Sequence, residues 1–156
     1  MSTARLVDLL PNTATPESLH IMRLSLLDWL ACGRAGTSEP VARAMRNMAQ
    51  AEAGAPHATP FGGGQLPARA TALVNGATSH ALDYDDTHFA HIGHPSVAVV
   101  SAALAVGEWT NASMNDVVLA ALNGCELSIR TGVLLGRAHY QIGFHQTATA
   151  GAFGAA

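Results

Sequence analysis

Lysine is missing from this chain altogether: all eight basic residues are arginines, scattered from Arg5 to Arg137. Charged residues make up only 12% of the sequence, against about a quarter in an ordinary soluble domain, and aromatics reach just 5%. The net charge is −3 and the arginines gather into no stripe. The electrostatic footprint for a phosphate backbone is therefore missing, and nucleic-acid binding is not expected. The two cysteines, Cys32 and Cys125, have no CxxC spacing. A buried, reduced pair in a cytoplasmic protein is the simplest expectation. No uninterrupted apolar run reaches the roughly 18 residues of a membrane span. Residues 1–18 also lack the basic start and apolar core of a leader, so no membrane partner is expected.

What the chain has in quantity is small and aliphatic. Hydrophobic residues are 49% of its 156 residues, and Ala and Gly are abundant. That length suits one domain with a real core, and the composition suits closely packed helices with some apolar surface awaiting a partner. The pattern agrees. Thr15-Pro16-Glu17 reads as N-cap, first helical proline and first-turn acid. Leu19, Met22, Leu26, Trp29 and Leu30 then recur at helical spacing until Gly33 and Gly36 end the run. A second helix starts at Ser38-Glu39-Pro40, with Val41, Met45 and Met48 on one side. Residues 55–66 carry turn chemistry and space for one short strand at most. Pro67 opens a third helix, and Pro95 a fourth whose stretch 97–106 is apolar almost all round and therefore buried. Ser113-Met114-Asn115-Asp116 resembles a capping box for a long helix over 114–135. After breaks at Gly136 and Gly143, a sixth helix follows His145. The expected class is all-α.

Polar residues crowd into two places. The first, from His80 to His94, packs four histidines and three aspartates into 15 residues. A solvated loop is the bland account. A metal site is the sharp one, because His and Asp ligate zinc, iron and manganese. The spacing argues against metal: there is no HExxH, no calcium-loop pattern and no cysteine within reach. His94 directly precedes Pro95-Ser96 at a helix start, where unpaired N–H groups and the dipole favour anions. It could cap that helix, or bind a carboxylate and transfer a proton near neutral pH. The second place, His139 to Thr149, repeats the device with Gly143, His145 and Thr147 entering a helix. Together the two histidines would cradle a substrate with several carboxylates.

Asn75-Gly76 with the run His80-Ala-Leu-Asp83-Tyr-Asp-Asp-Thr87-His88, then His94-Pro95-Ser96, closely resembles the signature of the MmgE/PrpD family, a group that includes 2-methylcitrate dehydratase. Leu27-Asp28-Trp29, Ala58-Thr59-Pro60, Gly124-Cys125-Glu126 and Gly143-Phe144-His145-Gln146-Thr147 fall where the family has similar segments. Gln146 stands where the pattern expects proline. The resemblance implies a helical domain spanning 1–156, incomplete here, with a second α+β domain absent. It implies a homodimer acting without cofactor or metal on a small polycarboxylate substrate, by elimination, decarboxylation or epimerisation. By motif position, His94, His145 and Asp83 fall on catalytic residues and Thr87 on a substrate-binding one. His91 is a substitute for His94, because the spacing after Thr87 varies in the family.

The family also draws lysines and a tyrosine from later segments, so the chain alone is expected to be inactive. The run Gly151 to Ala156 stops inside an apolar helix, which reads as truncation. Two rival readings stand beside the enzyme: a non-catalytic helical remnant or interaction module, and a metal-dependent enzyme built on the His/Asp cluster.

Overall fold

The computed structural model describes residues 14–156. The leader-free reading of the first residues lies mostly outside that range. Seven helical segments follow one another, and among the described residues the only β pairings are two isolated antiparallel bridges, Ala58 with Leu66 and His88 with Gly93. The protein is all-α, as its composition and periodicity imply.

Helix α1, Pro16–Gly36, begins with a reciprocal cap. The Thr15 hydroxyl accepts from the Ser18 N–H at 3.1 Å, and the Ser18 hydroxyl accepts from the Thr15 N–H at 3.0 Å. The helix buries Met22, Trp29 and Cys32. The Trp29 indole donates to the Ser101 hydroxyl at 3.0 Å, and its ring meets Phe61 with centroids 4.7 Å apart. Gly33 does not end this helix. It sits inside, where an added Cβ would collide with the Phe61 ring, and Gly36 alone marks the terminus.

Helix α2, Pro40–Glu52, turns inward a face that shares only Met45 with the one expected. Val41 and Met48 are exposed, while Ala42 and Ala49 are fully buried. Methyl-sized contacts let α2 lie close to α3, Ala68–Ser79, and that proximity outweighs burial of the longer side chains. Asn75 on α3 ties the intervening loop down: its carbonyl oxygen accepts from the Phe61 N–H at 2.7 Å.

Helix α4, Ser96–Thr110, runs through the middle of the packing against α1, α3 and α5. It buries Val97, Val99 and Val100, although Val106 remains exposed near its end. Asn111 closes it at φ 55°, a left-handed position that asparagine tolerates. Helix α5, Met114–Gln141, starts where the Ser113 hydroxyl accepts from the Asp116 N–H at 3.2 Å. Its regular backbone breaks at Gly136, as expected. That glycine kinks it at φ 70°, ψ 178°, and one further turn presents Arg137 and Tyr140 at a new angle. By length and composition α5 could cross a membrane, yet it packs against α1, α4 and the C-terminal turns. The sixth helix expected from the sequence is two separate turns, α6 at Gln146–Thr149 and α7 at Gly151–Ala155.

The core gathers Met22, Trp29, Val99, Val100, Val118, Ala121 and Cys125. Both cysteines are buried thiols, and burial pushes Cys125 up to about 12. On the outside, α1 shows Ile21, Leu24, Leu27 and Leu30 to solvent. Beside the core, the His91 ring lies fully buried against Gly132, with no room for a Cβ between them. Gly132→Ala should therefore destabilise the fold by about 1–3 kcal/mol through overpacking, read as a lower urea midpoint with an unchanged slope.

Candidate functional site

The loop between α3 and α4 is built by its own aspartates. His80 caps the C-terminus of α3, and Asp83 turns the chain at φ 56°. Asp86 then locks the exit. Its N–H donates to the Asp28 carboxylate of α1 at 3.0 Å. Its own carboxylate accepts from the Ser96 N–H at 3.2 Å and from the Ser96 hydroxyl at 2.6 Å. The N-terminus of α4 is thus already occupied by a protein carboxylate, and the anion site expected there is filled by Asp86. Burial, opposed by the Asp86 N–H, raises the Asp28 carboxyl above its ordinary range.

With both flanks held, Asp85 points inward; its side chain is 1% exposed. His80 Nδ1 lies 2.8 and 3.1 Å from the two Asp85 carboxylate oxygens. His94 Nδ1 lies 3.0 Å from the Asp85 backbone carbonyl and 3.5 Å from its Oδ2. A carbonyl can only accept, so His94 carries its proton on Nδ1, and when neutral its Nε2 is a bare lone pair. His80 is oriented in the same way. Both Nε2 atoms face Asp83 Oδ1, at 3.4 Å from His94 and 4.0 Å from His80.

His145 is held in the opposite tautomer. As N-cap of α6 its Nδ1 accepts from the Thr147 N–H at 3.3 Å, which leaves the proton of the neutral ring on Nε2. The Thr147 hydroxyl meanwhile accepts from the His94 N–H at 2.9 Å. One threonine therefore fixes both histidines, whose rings stack loosely with centroids 6.3 Å apart. They open on a cavity of about 310 Å³ lined by Thr87, His88, Phe89, His94, Arg137, Tyr140 and His145, among others. That volume is at the small end of ligand sites.

Of the residues singled out from the sequence, the fold brings His94, His145 and Thr87 to one cavity and sets Asp83 against His94. It does not bring His91 there. That ring is wholly buried, and neither of its nitrogens has a hydrogen-bond partner among the described residues. Burial, then the neighbouring His88, His145 and His94, hold His91 below the usual histidine value and hence neutral. His80 and Tyr140 lie inside the two polar clusters but pattern alone gives them no role, and it does not single out Arg137 at all. Arg137 looks like any other scattered arginine until the Gly136 kink aims it. Gln146 in place of proline also has a use. Its buried amide donates to the Gly132 and Gly136 carbonyls at 3.0 Å each and pins that kink.

A larger concavity of about 790 Å³ lies elsewhere, beside Arg34, Arg43 and Arg46. Arg43 and Arg46 donate to the backbone carbonyls of Ser38 and Thr37, and none of its lining residues is a histidine or carboxylate. The histidines gather at the smaller cavity.

An all-α domain carrying a paired-histidine site braced by aspartates defines the class. The family model of the MmgE/PrpD N-terminal domain matches residues 3–156. The chain belongs to the MmgE/PrpD family. Among curated proteins none matches it.

The Asp85 hydrogen bond raises His80 above the ordinary histidine value against the opposing effect of burial. The sign follows. A raised histidine adds stability below its unfolded value of about 6.5 and loses it as pH climbs through the folded value. Proton NMR titration should find His80 above that value and His91 below it. Asp85→Asn should bring His80 down and remove its share of the stability at low pH.

Proposed function

We propose that this domain supplies the proton-transfer part of a lyase or isomerase site for a small polycarboxylate, working next to a carboxylate without a resident cofactor. The observation that carries the reading is the opposed pair of tautomers. His94, bare at Nε2 when neutral, and His145, with its N–H at Nε2, line the same cavity, each tautomer set by a hydrogen bond its Nδ1 makes with the backbone.

In this reading His94 Nε2 removes the proton from the carbon beside a carboxylate. Asp83, 3.4 Å from that nitrogen, stabilises the imidazolium that results. His145 Nε2–H donates to the oxygen that gains charge, whether a departing hydroxyl or an enolate. Thr87 and Arg137 hold substrate oxygens. Dehydration, decarboxylation and epimerisation all begin or end with such a step, and the polycarboxylate class comes from family membership. One arginine cannot neutralise a di- or tricarboxylate, so the reading takes further cations from another segment or copy. A cytoplasmic homodimer is its working form.

Two measurements test it. Citrate added to the chain should shift the ring signals of His94 and His145, and Arg137→Ala should weaken that response about tenfold, the scale of a charge-assisted hydrogen bond. In a catalytically competent form containing this domain, His94→Gln should lower kcat about a hundredfold or more, and turnover should survive exhaustive chelation. Silent histidines on citrate addition, or an active His94→Gln enzyme, would reject the proposal.

A further inference from the structure

We infer that His80, His94 and Asp83 together form a binding site for one divalent transition-metal ion, and that such an ion blocks proton transfer at this site. The local spacing of these residues matches no metal motif. The fold nevertheless gathers His80, Asp83, Asp85 and His94 so that one ligand atom from each lies within 4.8 Å of all the others. The orientation matters more than the proximity. Both Nδ1 atoms turn toward Asp85, which leaves both Nε2 lone pairs facing the Asp83 carboxylate.

Two imidazoles and one carboxylate converging in this way are the ligand set of a 2-His-1-carboxylate centre. A buried carboxylate behind the histidine rings is the usual outer partner that fixes tautomer and raises basicity. Metal–ligand bonds of about 2.0–2.2 Å place adjacent ligand atoms roughly 3.0–3.5 Å apart. The 3.4 Å and 4.0 Å separations from Asp83 are at or near that range. Asp83 is 78% exposed at its side chain and can close the remainder by rotating, while water completes the coordination. Nitrogen donors favour zinc, cobalt or iron over magnesium and calcium, which prefer all-oxygen sites.

The consequence rests on the proton-transfer reading above. His94 Nε2 cannot donate its lone pair to a metal and take a substrate proton at once. The ion is therefore a brake, not an activator.

Binding is testable on this chain without any activity. Metal-free protein is titrated with Co2+ and with Zn2+, following cobalt absorption and histidine ring NMR signals. One equivalent should bind and perturb His80 and His94, while His57, stacked on Trp109 away from the site, stays unchanged. Asp83→Asn and His80→Gln should each weaken binding at least tenfold, and His57→Ala should not. Asparagine accepts the left-handed backbone of position 83 as readily as aspartate, so Asp83→Asn keeps the fold, which circular dichroism checks. No binding overturns the inference. So does affinity undiminished in Asp83→Asn and His80→Gln, which would mean adventitious surface histidines. Because the citrate response is also read at His145, which is no ligand of the ion, and is weakened by Arg137→Ala, failure of the metal site and failure of the polycarboxylate reading give different results.

Discussion

The site depends on the bond between Asp28 and the Asp86 N–H. It joins the middle of α1 to the loop before α4, and from that anchor Asp86 caps α4 through Ser96. A loop held at one end would let Asp85 point to water, where a carboxylate is better solvated. Held at both, it must bury Asp85, and a buried carboxylate demands donors. His80 donates to that carboxylate, while His94 donates to the Asp85 backbone carbonyl. Their orientation is thus a consequence of satisfying Asp85, and the direction of their outer nitrogens follows without any further contact. Three aspartates in four positions, which on a helix surface would only repel, here divide into a turn former, an internal acceptor and a helix cap.

Small residues set the other wall. Gly132 lets the Nδ1 edge of the His91 ring press against α5, and Gly93 lets the loop approach Thr147. His91 is then an uncharged, buried neighbour of His94 and His145. Its low affinity for protons follows from burial, and it keeps one positive charge away from its neighbours. Thr147 completes the frame by spending its N–H on His145 and its hydroxyl on His94. Exchanging it for valine would free the His94 N–H and leave the main-chain bond to His145, whereas serine would keep both bonds.

Much of this was legible in the residues. Caps at Thr15 and Ser113, proline starts and glycine stops place most of the helices, because those signals are local and nothing distant overrides them. The density of His and Asp from His80 onward marks the site for the same reason: no helical scaffold needs it. What could not be read is what depends on distance. The inward face of α2 is chosen by the closeness of α3, which favours Ala42 and Ala49 over Val41 and Met48. His91 and His94 look equivalent in a string, and only the glycine at position 132 sends one into the core. Gly136 reads as a stop and its backbone is indeed non-helical, but the further turn after it and the Gln146 amide that bonds the Gly132 and Gly136 carbonyls across the break depend on the fold.

The charge balance of the site points beyond its own residues. Asp28, Asp83, Asp85 and Asp86 surround the histidines, while Arg137 is the one guanidinium among the residues lining the cavity. A carboxylate ligand entering such a field is repelled unless protons or cations come with it. His80, already biased toward its charged form by Asp85, can take up one proton. Arg137 can hold one carboxylate. A second or third carboxylate has no counter-charge here, and the absence of lysine from the sequence means that it must come from arginine or from another chain segment. The same acidic surround makes a divalent cation a natural visitor. On the proposed reading, an anionic substrate is therefore accepted only when the positive charge arrives from residues closing over it, and not from an ion lodged between His80, Asp83 and His94.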